Sequence, residues 1–125
     1  LLPHIAIIKT WLDEYFSGKE PSVAVELNPH GTEFQLRVWK NLCGIPYGTT
    51  TTYGEIAERL NSQSPSRRTS ARAVGQAVGR NPIGIIIPCH RVIGSSNKLT
   101  GFNAGLDAKV SLLKMENIDT SLMRR

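Results

Sequence analysis

Cys89, His90 and Arg91 stand side by side in IIIPCHRVIG, residues 85–94. A thiol, an imidazole and a guanidinium in sequence are the residue types of nucleophilic chemistry. The reactive species is the thiolate, so a base or a cation must act on a free cysteine whose pKa is about 8.5. His90 and Arg91 are candidates by chain proximity, and the apolar run ending at Pro88 suits a rigid approach to a reactive group. On an extended chain neighbouring side chains point to opposite faces, so Cys89 and His90 need not touch, and a water could connect them. The bland alternative is a buried structural thiol, common for a lone cysteine. Cys43 falls on a predicted helix and reads as a core thiol. The two cysteines have no C-x-x-C spacing and no histidine cluster, which argues against zinc; His4 and His30 show no partners in the pattern.

The elements that must position these groups follow from periodicity. Ile5, Ile8, Leu12 and Tyr15 recur at helical spacing before Gly18, which predicts a first helix. Residues 19–30 hold two prolines and read as a connector. Thr32 with Gln35 makes a capping box ahead of Phe34, Val38 and Leu42, a second helix ending at Gly44. After a turn through Pro46 and Gly48, Thr52 with Glu55 opens a short third helix carrying Ile56, Ala57 and Leu60. The polar stretch NSQSPSRRT, residues 61–69, predicts an exposed basic loop with Arg67 and Arg68. Ser70 can cap a fourth helix bearing Val74, Ala77 and Val78, which must stop before Pro82. Residues 83–87 form a β-branched run read as a buried strand or extended segment. Residues 94–105 are loop-like, and Leu106, Val110 and Leu113 mark a last helix running towards Ile118.

A chain of 125 residues, 40% hydrophobic and 20% charged, fits one ordinary globular domain. No apolar run is long enough to span a membrane, and the first residues do not read as a secretion signal. The net charge of +5 favours a polyanionic partner, though only weakly.

The segment NPIGIIIPCHRV, residues 81–92, closely resembles the active-site signature of the O6-alkylguanine-DNA alkyltransferases. GTTTTYGEIA, residues 48–57, and SARAVG, residues 70–75, resemble that family's two DNA-reading helices in the same order. The resemblance runs from about Gly31 to Asn117. It implies a mostly helical α/β domain with a helix-turn-helix, winged-helix-like element and a short extended segment carrying the active cysteine. Residues 31–119 would hold DNA-binding and alkyl-acceptor functions, residues 1–30 would be an amino-terminal helix and linker left from a larger domain, and residues 120–125 a tail.

The resemblance also implies roles. Cys89 would take the alkyl group from O6-alkylguanine in double-stranded DNA, with O4-alkylthymine a further candidate, and keep it, so each molecule acts once without cofactor or metal. His90 would act as base through a water, Glu116 would orient His90, and Asn81 would brace the turn before Cys89. Tyr53 would push on the phosphate as the lesion base rotates out of the duplex, and Arg72 would fill the gap. Tyr53, Val92, Phe102 and Asn103 would line the base pocket. Ser70 and Arg91 would join Tyr53 and Arg72 in facing DNA; Arg67 and Arg68, in a loop longer than a compact helix-turn-helix allows, read as phosphate contacts or, equally, as part of a solvated, mobile loop. GFNAG, residues 101–105, departs from the family's aromatic followed by small residues, because Asn103 is bulkier and more polar. The expected partner is lesion-bearing DNA, met by a monomer in a prokaryotic cytoplasm or a eukaryotic nucleus. Two rivals stand beside this reading. One is a non-enzymatic lesion binder of the alkyltransferase-like kind, which Cys89 argues against. The other is a cysteine hydrolase, for which no oxyanion-hole signature is evident.

Overall fold

Side-chain caps start three of the helices where the sequence places them. At α2 (Glu33–Cys43) Thr32 closes a full capping box, its hydroxyl accepting from the Gln35 amide N–H at 3.1 Å and its own N–H donating to Gln35 Oε1 at 3.0 Å. At α3 (Tyr53–Gln63) Thr52 accepts from the Glu55 N–H, but the Glu55 carboxylate accepts from Thr51 rather than completing the box. At α4 (Ala71–Gly79) Ser70 accepts from the Ala73 N–H. The computed structural model describes residues 2–125; α1 is Leu2–Phe16 and α5 is Leu106–Met115.

The core forms where α2, α3 and α4 meet. Val38, Trp39 and Leu42 of α2 face Ile56, Ala57 and Leu60 of α3 and Val74, Ala77 and Val78 of α4, all buried. Trp39 Nε1 donates to the Ala77 carbonyl at 2.8 Å, satisfying the one polar atom of a buried indole. Gly31 closes over the same ring, where a Cβ would lie 2.7 Å from it. Two short strands, β1 (Thr51–Thr52) and β2 (Val92–Ile93), pair in parallel with Thr51 opposite Val92. This pairing places the start of α3 beside the segment that follows Cys89.

Four expectations are corrected. Residues 61–63 belong to α3 rather than to the basic loop. That loop is also tied down, because Asn61 bonds both the carbonyl and the N–H of Thr69, and Arg67 pairs with Glu33. Residues 83–87 are not a strand: Ile86 N–H donates to Gly84 and Ile87 N–H to Ile83, so the run closes on itself with Ile85 at φ +71°. Cys89 then lies on a 3-10 turn, Cys89–Arg91, not on extended chain. Finally, Cys43 is exposed at the end of α2 rather than a core thiol.

Candidate active site

The turn after α4 presents the cysteine. The Asn81 carboxamide accepts from the Ile83 N–H at 3.0 Å and donates to the Ile87 carbonyl at 2.9 Å, gripping both ends of the compact run. A β-branched residue in the left-handed region is strained, and Ile85 adopts it four residues before the cysteine. The Cys89 thiol is half-buried. Burial pushes its pKa up, while hydrogen bonding from Asn81, the Lys109 charge and the N–H groups of Cys89 and His90 pull it down.

The 3-10 turn sends His90 and Arg91 inward to one carboxylate. Glu116 caps the end of α5 and is 2% exposed. Its Oε2 accepts from His90 Nε2 at 2.6 Å and from the Tyr15 hydroxyl at 2.7 Å. Its Oε1 accepts from Arg91 Nε at 2.8 Å and from the Gly48 N–H at 2.9 Å. Gly48 makes that last bond from a turn at φ +78°, which glycine adopts without strain. Burial alone would raise the Glu116 pKa, but the bonds from His90, Arg91, Gly48 and Tyr15 together hold it down at about 2.

An ionised carboxylate only accepts, so His90 Nε2 carries a proton, and in the neutral imidazole the lone pair lies on Nδ1. Nδ1 is also a buried side-chain polar atom without a hydrogen-bond partner among the described residues. A fully buried imidazole oriented through one nitrogen and open at the other is the geometry of a general base.

Lys109, unremarked in the sequence, completes the surroundings. Its ammonium is buried and donates to the Val92 carbonyl at 2.6 Å and to Thr100 Oγ1 at 3.1 Å. Burial pushes its pKa down to about 8, with the Cys89 charge drawing it back up. Thr100 Oγ1 also lies 2.5 Å from the Tyr53 hydroxyl, so Lys109, Thr100 and Tyr53 form a hydrogen-bonded chain that reaches the start of α3. The available signal was a lysine three residues after Leu106 and four before Leu113, on the inward stripe of α5. Tyr15 was read only as apolar, although a buried phenol needs a partner for its hydroxyl.

Other expected positions divide clearly. Arg91 was expected to face DNA and does not: it is 7% exposed, bound to Glu116 and to the Ile45 carbonyl, with its guanidinium over the Tyr47 ring. Val92 has its side chain in the core. Phe102 is half-buried, and the exposed Asn103 reaches the Gly79 carbonyl at the end of α4. Arg72 and Arg68 are exposed, as is Ser70 at the start of α4. A recess of about 580 Å³ bounded by Arg37, Lys40, Thr51 and Arg59 contains neither Cys89 nor His90.

Residues 33–118 match the DNA-binding domain of 6-O-methylguanine DNA methyltransferase. The chain belongs to that family. A methylated-DNA–protein-cysteine methyltransferase of Methanosarcina mazei is 57% identical over 109 residues, 87% of this chain and 66% of the relative. The enzyme of that name from Mycobacterium leprae is 53% identical over 105 residues, 84% of this chain and 61% of the relative. The chain thus spans somewhat under two thirds of the length of these methyltransferases. Among solved structures, Mycobacterium tuberculosis OGT in complex with DNA superposes with a TM-score of 0.80 at 47% identity, over 95% of this chain and 69% of that one. The helical α/β architecture is therefore that of this methyltransferase family.

Proposed function

We propose that this chain repairs DNA by moving an alkyl group from O6 of guanine to Cys89 in a single displacement. The thiolate sulfur attacks the alkyl carbon, the bond from that carbon to O6 breaks, and a thioether forms. The thiol proton passes through a water to His90 Nδ1, and the guanine anion recovers a proton as it leaves. The step balances with no oxidant, reductant or cofactor, and its stable thioether makes each molecule act once. The observation that carries this reading is the buried His90 imidazole, next in the chain to Cys89, fixed by Glu116 through Nε2 and with Nδ1 unpartnered among the described residues. Lys109 supplies the positive charge that favours the thiolate.

DNA is the partner this reading requires. Support comes from the net charge of +5 and from the likeness to OGT solved with DNA. Tyr53 and Arg72 stand at the openings of α3 and α4, where they would extrude the damaged base; Ser70, Arg67 and Arg68 would contact the DNA backbone, and Phe102 and Asn103 would border the base. Residues 31–119 hold the cysteine, its base and the DNA face. No described helix is long and apolar enough to cross a membrane; the reading places a monomer with the DNA, in a prokaryotic cytoplasm or a eukaryotic nucleus. O4-alkylthymine, with the same kind of exocyclic oxygen, is a second substrate to try.

Titration of the protein against duplex DNA carrying O6-methylguanine tests the reading. Loss of one lesion per protein with no further turnover is expected. Continuing turnover, or tight lesion binding with no loss, would overturn it.

A further inference from the structure

Tyr15 lies on α1, outside the segment that matches the family's DNA-binding domain, yet it reaches the centre of the site. It is fully buried. Its hydroxyl donates to Glu116 Oε2 at 2.7 Å, and the Tyr15 hydroxyl oxygen lies 3.2 Å from His90 Nε2. The ring is held on several sides: stacked on Trp11 at 5.2 Å and 8°, and edge-on to Phe16, Tyr47 and His90. Such a ring cannot turn its hydroxyl elsewhere. The charged and titratable groups facing it are Glu116, His90, Arg91 and Tyr47, and burial followed by the bond to Glu116 keeps the phenol protonated well beyond its ordinary range.

We propose that Tyr15 is a positioning residue for alkyl transfer, holding Glu116 and His90 in register through its hydroxyl. The proposal rests on the reading of Cys89 as alkyl acceptor and His90 as its base. Three of the four donors to Glu116, namely Gly48, His90 and Arg91, come from the segment that matches the family, and Tyr15 supplies the fourth from α1. By donating, the phenol also draws charge from Oε2 and so limits how strongly Glu116 supports an imidazolium. Donor strength at position 15 therefore sets both the geometry of the base and the pH at which it works.

Two variants separate this role from simple packing. Tyr15→Phe keeps the ring and removes the donor; 3-fluorotyrosine at position 15 keeps the hydroxyl and makes it a stronger donor. Single-turnover methyl transfer is followed against pH, with lesion affinity and final stoichiometry measured alongside. Tyr15→Phe is expected to keep one methyl per protein and its lesion affinity while transferring on the order of tenfold more slowly, as for loss of a hydrogen bond to a charged group. Its acid limb should move to higher pH, and that of the fluorotyrosine protein to lower pH. Acid limbs unmoved in both variants while the wild type transfers normally would overturn the role of Tyr15 alone. A wild type that transfers no methyl would overturn the transfer reading and this role with it. If Tyr15→Phe does not fold, the direction of the fluorotyrosine shift decides the question.

Discussion

The inner face around Glu116 and the outer face of α3 and α4 handle charge in opposite ways. Inside, Glu116, His90, Arg91 and Lys109 are all buried and bonded to protein groups. Outside, Arg72, Arg68 and Arg80 are exposed, and Arg67 meets Glu33 only in a solvent-facing pair of the kind that contributes little. The inner groups are already bonded to one another, so under the proposed function His90 would need no rearrangement to act as base. On the proposed function the outer half would recognise DNA, its hydrated cations gaining energy only when phosphates displace water and counterions. Damage to the first half should therefore be felt in stability and chemistry, and damage to the second only when DNA is present.

The largest effect should come from Glu116→Gln. It removes a buried anion beside Arg91, and breaking such a pair typically costs about 3–5 kcal/mol. A urea midpoint far below that of the wild type, together with a collapse of methyl transfer, is the expected result; a small change in both would erase the contrast between the faces. Acid should do the same by titration. The Glu116 pKa is depressed from 4.5 to about 2, so the unfolded chain binds more protons than the folded one between those values. The contribution of Glu116 is complete above about pH 4.5 and disappears as pH falls towards 2, which urea midpoints at stepped pH will show. Lys109 works the other way: below about pH 8 its buried ammonium opposes folding, and that penalty is relieved as pH rises from about 8 to 10.5.

On the outer face, Arg72→Ala should leave stability unchanged and slow transfer from duplex DNA by roughly tenfold to a hundredfold, since extruding a base costs a few kcal/mol. Reaction with free O6-alkylguanine should be nearly unaffected. Equal loss on both substrates would place Arg72 in the chemistry rather than in recognition. The smallest effect is expected for Arg68→Ala, which should reduce the slope of log binding constant against log salt by about one and alter nothing else.

Local signals made the frame legible. Thr32, Thr52 and Ser70 each announced a helix start because a short hydroxyl side chain competes best at that position, and each caps in the structure. The signature around Cys89 was legible only as a resemblance, because the pairing of His90 with Glu116 spans 26 residues and no local rule connects them. The strand expected at residues 83–87 failed for a tertiary reason. Their β-branched composition was outweighed by Asn81, whose side chain caps the run at both ends and bends it back. Arg91 was misplaced because its position next to the active-site segment does not show which way the side chain points, and the 3-10 turn rotates it inward. Tyr15 and Lys109 were hidden by their own stripes, each lying among apolar neighbours while its polar end serves the site.

The central claim is that Cys89 itself becomes the alkyl carrier. Intact-protein mass spectrometry after incubation with duplex DNA bearing one O6-methylguanine, followed by peptide mapping, tests it directly. The account predicts a stoichiometric gain of one methyl group on the Cys89 peptide, absent in Cys89→Ser. A methyl group on Cys43 instead, or an unmodified protein that still binds the lesion, would contradict it.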